Sequence, residues 1–484
     1  MMSDISLLIL LPLLAAVCAA ATPRAAGLWG LPASILTGVI ALWLALDVLQ
    51  NGAQEIAIGG WIAPLGIVFV ADGLAALMLL MTSGVGIVVS IQATSWGVGP
   101  SSNVSEKAAT MRAGFWPLWL ATLGALNALF LSGDLFNIYV AFEILGLTAV
   151  GLTALSSTPS ALRAAFDYLS AGLAGSLLLL LGVALAYSAV GRVDIEVVPL
   201  LADTTSGRIA LALIVAGLAV KAALFPLHFW MPAAHSSATP VASALLSALV
   251  VKGALYVILR ISMEGGVGME TLRLAIAVLG AGAMLWGAWG ALQATRLKLL
   301  VAQSTVAQIG LIAMAIGLAG DNLQQNGLWQ AAALLMLSHA LAKAAMFIAV
   351  GRIAEELGHD RLSGLNRKEL RPGAAEFAFA IASISLIGLP PTAGFIGKWI
   401  LIDGLIARDA WIWVALILLG TALSAAYLSR VVSRCLRGGP HVSLDAHHPP
   451  WRTGDVAALG LATSALLLGL ASAFPLSLLE ITVK

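Results

Sequence analysis

Four lysines and one glutamate stand where a chain of this composition has little reason to carry charge. Lys221, Lys252, Lys343 and Lys398 each lie inside an apolar run of helical length, and Glu143 sits mid-run in DLFNIYVAFEIL. Lysine gives up its proton readily when desolvated, whereas arginine holds its charge in any protein environment. With every arginine assigned to a loop, four buried lysines and no buried arginine are expected, which points to groups that change charge. Glu143 can pair with one of them; pairing favours the charged form of both partners, and loss of the partner favours deprotonation of the lysine. A Glu–Lys latch that only sets helix register is the plainer alternative. Three further lysines, each without an acid in its own helix interior, favour a proton relay, because an unpaired buried charge is costly.

Other polar residues fall near these. His339 and Lys343 in SHALAKAAMF are four apart and share one helix face, where imidazole and amine can exchange a proton directly or through one water. Gln303, Ser304, Thr305 and Gln308 in VAQSTVAQIG can hold water between two halves of the molecule or simply join helices by hydrogen bonds. His228 and His235 flank a Trp-Met-Pro turn and either link the pathway to one surface or lie with Trp230 at the membrane interface. Asp72, in VADGLAALMLL, reads as a helix-start residue.

The elements that must position these groups are helices in lipid. At 484 residues, 60% hydrophobic and 10% charged, the chain has too little polar surface to coat a soluble domain. The apolar segments are continuous runs of about 20 residues, which favours helices over the alternating strands of a barrel. The 49 glycines suit close helix packing. A net charge of +1 without a basic cluster implies no nucleic-acid partner. Cys18 and Cys435, neither in CxxC spacing, exclude a cysteine-rich iron–sulfur or zinc site; no metal and no cofactor is expected. The Ile5–Ala21 run follows Asp4 and no basic residue, so it reads as a first spanning helix rather than a signal peptide.

Runs of spanning length fall near 5–21, 29–49, 67–94, 115–131, 135–155, 167–190, 209–229, 238–262, 272–293, 297–318, 328–350, 374–406, 410–430 and 455–478, an all-α integral membrane protein of about fourteen helices. Pro226 should break the seventh just past Lys221, and Pro390 with Pro391 should break the twelfth. Broken backbone in a bilayer is tolerated only where protein or water covers it. Helices 4–8 and 9–13 then form two five-helix units, each with a broken fourth helix, and the odd number inverts one relative to the other. The implied division is 1–114 for helices 1–3, 115–262 and 263–430 for the two repeats, and 431–484 for a loop and the last helix. Odd-numbered loops hold fifteen basic residues, Lys298 and Arg352 among them, while even-numbered loops and the C-terminus hold six, Arg260 and Arg273 among them. The positive-inside rule places odd loops in the cytoplasm and both termini outside. No Walker loop, no GxGxxG opening a nucleotide-binding unit and no large soluble domain is present, so energy must come from an ion gradient or a partner protein.

The motifs VKAALFPLHFWMPAAH, SALLSALVVKGALYVILR, SHALAKAAMF and SLIGLPPTAGFIGKW, in this order and spacing, resemble the antiporter-like proton-translocating subunits of respiratory complex I, membrane-bound hydrogenases and Mrp-type cation/proton antiporters. The resemblance implies a proton path through Glu143, Lys221, Lys252, His339 with Lys343, and Lys398. GDLFNIYVAFEIL and the lysine at 398 look most like the Mrp D-type chain; Ala234–Ser243 departs from the family pattern by a shifted proline, Pro240. The implied partners are other membrane subunits, protons, sodium and the lipid of a bacterial inner membrane. A proton-pumping subunit of a redox complex is the alternative, followed by a structural scaffold and a self-sufficient carrier.

Overall fold

Both proline-marked helices stop where the sequence predicts. The computed structural model describes residues 2–60, 66–95, 106–265, 267–320, 327–367, 372–436 and 451–482. Its elements run α1 (Met2–Ala21), α2 (Ala26–Asn51), β1 (Gln54–Ala57), β2 (Val68–Ala71), α3 (Gly73–Thr94), α4 (Glu106–Leu131), α5 (Leu135–Ala154), α6 (Pro159–Val190), α7 (Val198–Ala202) and α8 (Thr205–Lys221). Then follow α9 (Met231–Ser237), α10 (Pro240–Leu245), a π-helical turn at Leu246–Val250, α11 (Val251–Glu264), α12 (Glu270–Gln293) and α13 (Leu297–Leu318). The last elements are α14 (Leu328–Leu357), α15 (Ala374–Ile387), α16 (Ala393–Ile406), α17 (Trp411–Leu436), α18 (Thr453–Leu470) and α19 (Ala473–Leu479).

Among the described residues, eleven helices have the length and apolarity to cross a membrane. Three of the fourteen expected runs do not meet that test alone: the first, trimmed to Ile5–Ala21, and the two broken by proline. The run expected at 67–94 is not one helix. Val68–Ala71 is a strand paired antiparallel with Gln54–Ala57, and the helix begins only after Asp72, whose carboxylate accepts from the Ala75 N–H at 2.9 Å. The β-branched and aromatic Val68-Phe69-Val70 suit a strand, and the cap at Asp72 sets the boundary.

Burial sorts the helices into an inside and an outside. Of the most apolar eighteen residues, all are buried in the Pro240–Glu264 segment, 94% in α14 and 89% in α13, against 39% in α6 and 33% in α17. A helix apolar all round belongs either in a core or against lipid, and both occur here. The lysine-bearing helices α11 and α14, with α13 between them, are the core; α2, α6, α12 and α17 turn leucines and tryptophans outward.

Close contact of small residues brings these helices together. A Cβ on Gly280 would stand 2.5 Å from the Met314 nitrogen, which ties α12 to α13, and one on Gly217 would stand 2.5 Å from the Gly175 carbonyl oxygen, which ties α8 to α6. The second contact sets Ser176 beside Lys221.

Candidate functional site

Lys221 is the last residue of α8. Past it, Ala223 takes a left-handed φ of 53°, the Phe225–Pro226 bond is cis, and the chain does not return to helix until Met231. At the interruption the Val220 carbonyl accepts from the Ala223 N–H at 3.1 Å in place of a donor four residues on, and the Trp230 indole N–H donates to it as well, at 3.1 Å. Trp230 is therefore not the interfacial anchor expected of it. It is buried and stacked on Tyr168, with centroids 4.1 Å apart, because the backbone it satisfies lies inside the protein. Trp116 and Trp119 are likewise buried, so tryptophan in this chain serves the core as well as the lipid face.

The Lys221 ammonium donates to the Ser176 hydroxyl at 2.7 Å and lies 5.1 Å over the Phe142 ring. Glu143 is its ion-pair partner, but at 4.0 Å, and the glutamate side chain keeps 30% of its surface exposed. The three groups line a cleft between α5 and α6. Ser176 carries no sequence signal beyond its neighbour Gly175.

The other lysines are held by neutral oxygens. Lys252 donates to the Ser247 carbonyl at 2.5 Å, inside the π-helical turn, where the altered hydrogen-bond ladder presents that oxygen to it. Lys343 donates to the Val301 carbonyl at 3.0 Å and to the Ser304 hydroxyl. Lys398 reaches back from α16 to the carbonyls of Leu386 at 3.2 Å and Ile387 at 2.7 Å, the end of α15, and to the Thr421 hydroxyl at 3.3 Å on α17. Gly388 makes that possible: it takes the left-handed φ of 83° that caps α15, and a Cβ there would stand 2.8 Å from Lys398 Cδ. Pro390 and Pro391 are joined by a cis bond in the break itself.

One helix receives one of the four directly and meets the partners of two more. Along α13, Val301 and Ser304 receive Lys343, the Thr305 hydroxyl is 2.9 Å from that of Ser247, and the Gln308 amide donates at 3.3 Å to the Leu386 carbonyl that Lys398 also uses. Of the four polar residues marked on this stretch, Gln303 alone turns away, toward Gly290 on α12. No described hydrogen bond continues this network to Lys221; Phe142, Val250 and Trp230 line the intervening space.

The histidines His228, His235 and His339 are all buried. His339 and Lys343 share a helix but do not bond, and both ring nitrogens of His339 and of His235 lack a protein partner. The His235 ring lies 6.0 Å from that of Phe347, one turn beyond Lys343 on α14. His228 packs its ring against Phe225 and Trp286.

The expectation that no arginine is buried is wrong. Arg260, counted as a loop residue, lies within α11 and donates to both Asp72 oxygens, at 2.5 and 2.6 Å. Arg352, also counted in a loop, is buried in α14 against Asp455 at 3.2 Å and Glu355 at 2.5 Å. Arg273 and Lys298 are buried as well. The cause is common to all: helices run past their most apolar stretch, and their ends fold inward onto acids or carbonyls. Asp72 is thus both a cap and a counter-ion. Of the basic residues used for orientation, Lys368, Arg371, Arg437 and Lys484 lie outside the described residues, as do the side chains of Lys107 and Arg367. Among the described residues, no three His, Cys, Asp or Glu side chains cluster as a metal site needs.

Comparison with known proteins gives the family of the chain. A family model described as NADH:quinone oxidoreductase/Mrp antiporter, TM, matches residues 132–424, a stretch holding every lysine of the site. The chain is 33% identical to the N-type chain of the NADH-quinone oxidoreductase of Desulforudis audaxviator, over 84% of this chain and 82% of that one. It is 30% identical to the D-type chain of the Na(+)/H(+) antiporter of Alkalihalophilus pseudofirmus, over 78% and 75%. A chain of an archaeal respiratory membrane complex, the membrane-bound sulfane sulfur reductase, superposes with a TM-score of 0.86 at 27% identity, over 98% of this chain and 96% of that one. The protein is an integral membrane, antiporter-like subunit and belongs to the NADH:quinone oxidoreductase/Mrp antiporter family.

Proposed function

We propose that this chain moves protons across the bacterial inner membrane along Glu143, Lys221, Lys252, His339 with Lys343, and Lys398, as one subunit of a multisubunit cation/proton antiporter. The observation that carries the reading is the row of buried ammonium groups held by hydroxyls and carbonyls and bracketed by α13. A structural cation is best served by a carboxylate, as at Arg260; a cation that must lose its proton is better served by neutral oxygens. Opening of the Glu143–Lys221 pair lowers the hold on the Lys221 proton, which then passes toward Lys398. Sodium efflux would be coupled to this movement by partner subunits. The supporting similarity is to the D-type antiporter chain, together with the motifs around Glu143 and Lys398.

Units 115–262 and 263–430 would be the two inverted repeats, with both chain termini outside. In each, an ammonium sits at the carbonyl end of a proline-stopped helix, Lys221 on α8 and Lys398 over α15, where the helix dipole favours it. Lys221→Ala or Glu143→Ala should abolish proton transport in membrane vesicles while the complex still assembles. Full transport in either variant would overturn the scheme.

A proton-pumping subunit of a redox complex is the second reading, favoured by the 33% identity to a quinone oxidoreductase chain and by the respiratory complex that superposes. The co-purifying chains separate the two: small antiporter subunits in one case, iron–sulfur and quinone-site subunits in the other.

A further inference from the structure

Lys298 is a fifth buried lysine and lies outside the proposed proton row. It sits in the first turn of α13, where the helix dipole disfavours a cation, and is 9% exposed. Two residues earlier, Arg296 is open to solvent and pairs with Asp360 at 3.0 Å. Lys298 itself donates to the Ala238 carbonyl at the end of α9, three residues past His235. The charged groups that face it are Asp360 and Arg296, while His235 is itself faced by Lys298, Lys343 and Lys252.

Inward from Lys298, the same face of α13 presents Val301, the acceptor of Lys343, about 4.5 Å further along the axis. His235 lies alongside, its ring against Phe347 one turn from Lys343 and both its nitrogens without a protein partner. An ammonium, an imidazole with two open nitrogens and a second ammonium therefore form a line from the Arg296–Asp360 surface to the central row. We propose that Lys298 is the exchange residue at the surface end of the row, passing its proton through His235 to Lys343 and recovering one from surface water. The Lys298 ammonium protonates neutral His235 and becomes a neutral amine, the imidazolium then protonates Lys343 once that amine has given its own proton to the row, and surface water recharges Lys298, so protons balance at every step.

This rests on the proton-row reading, and the test separates the two. The whole complex is assayed for proton uptake in everted vesicles with Lys298→Arg, Lys298→Gln and Lys298→His, beside Lys343→Arg. Arginine and glutamine keep a donor for the Ala238 carbonyl but cannot supply a proton. Both should lose transport at least tenfold with normal assembly. Histidine should retain transport and move its alkaline limb toward acid pH by about one unit or more, which a purely structural tie would not do. Transport within twofold of wild type in Lys298→Arg, with Lys343→Arg inactive, overturns this proposal alone; both arginine variants active overturns the proton row and this proposal with it. Failure of all three Lys298 variants to assemble would make Lys298 a structural tie and also overturn it.

Discussion

The buried lysines and the best-paired buried arginines of this chain are kept in opposite ways. Arg260 and Arg352 meet carboxylates, in two-pronged contacts with Asp72 and Asp455. Lys252, Lys343 and Lys398 meet only carbonyls and hydroxyls among their hydrogen-bond partners. A carboxylate fixes a cation in place and in charge; an uncharged oxygen orients it and leaves the proton free to go. The arginine pairs stitch distant parts of the chain, α3 to α11 and α14 to α18, whereas the lysines line the interior between. The first set holds the bundle together; under the proposed function the second carries protons through it.

That contrast can be broken first at the arginines. Asp72→Ala leaves the Arg260 charge buried and should cost about 3–5 kcal/mol of stability, read as a large drop in thermal midpoint of the detergent-solubilised complex. An unchanged midpoint would mean that Arg260 is not a fixed strut. Lys343→Met is the opposite experiment: stability should hold or rise by about 1–4 kcal/mol, since an apolar residue of similar length replaces a desolvated charge, while transport disappears. Loss of both together would place Lys343 with the struts. Gly388→Ala should cost about 1–3 kcal/mol through its left-handed backbone and its contact with Lys398, with transport reduced through that lysine. Gln308→Leu removes neutral hydrogen bonds to the carbonyl that Lys398 shares and to the Tyr427 hydroxyl and should cost about 1–2 kcal/mol, with a modest slowing of transport. A variant at Gln308 as damaging as the one at Asp72 would erase the distinction between the two sets.

The lysines, the two helix breaks and the cap at Asp72 were legible because each is a local signal: a charge among apolar residues, a proline in a helix, an acid before one. What could not be read joins residues far apart. Arg260 and Asp72 are 188 positions apart, and Ser176 and Lys221 are 45 apart, so no window of sequence contains either pair. The strand at Val68–Ala71 was hidden by apolarity that suits a membrane helix equally well. Trp230 misled for the same reason: an interfacial tryptophan and one that satisfies a broken helix look alike until the fold brings Val220 beside it. The polar stretch on α13 was visible, but its place between three lysines belongs to packing alone.

The hydroxyl beside Lys221 sets how easily its ion pair opens. At 4.0 Å and an effective dielectric near 20, the attraction to Glu143 is roughly 4 kcal/mol, and it halves if the carboxylate swings to about twice that separation. With the carboxylate swung away, the Ser176 hydroxyl at 2.7 Å would still accept from the ammonium. The carboxylate can therefore behave as a hinged arm over a seated charge, and lifting it that far costs about 2 kcal/mol of attraction.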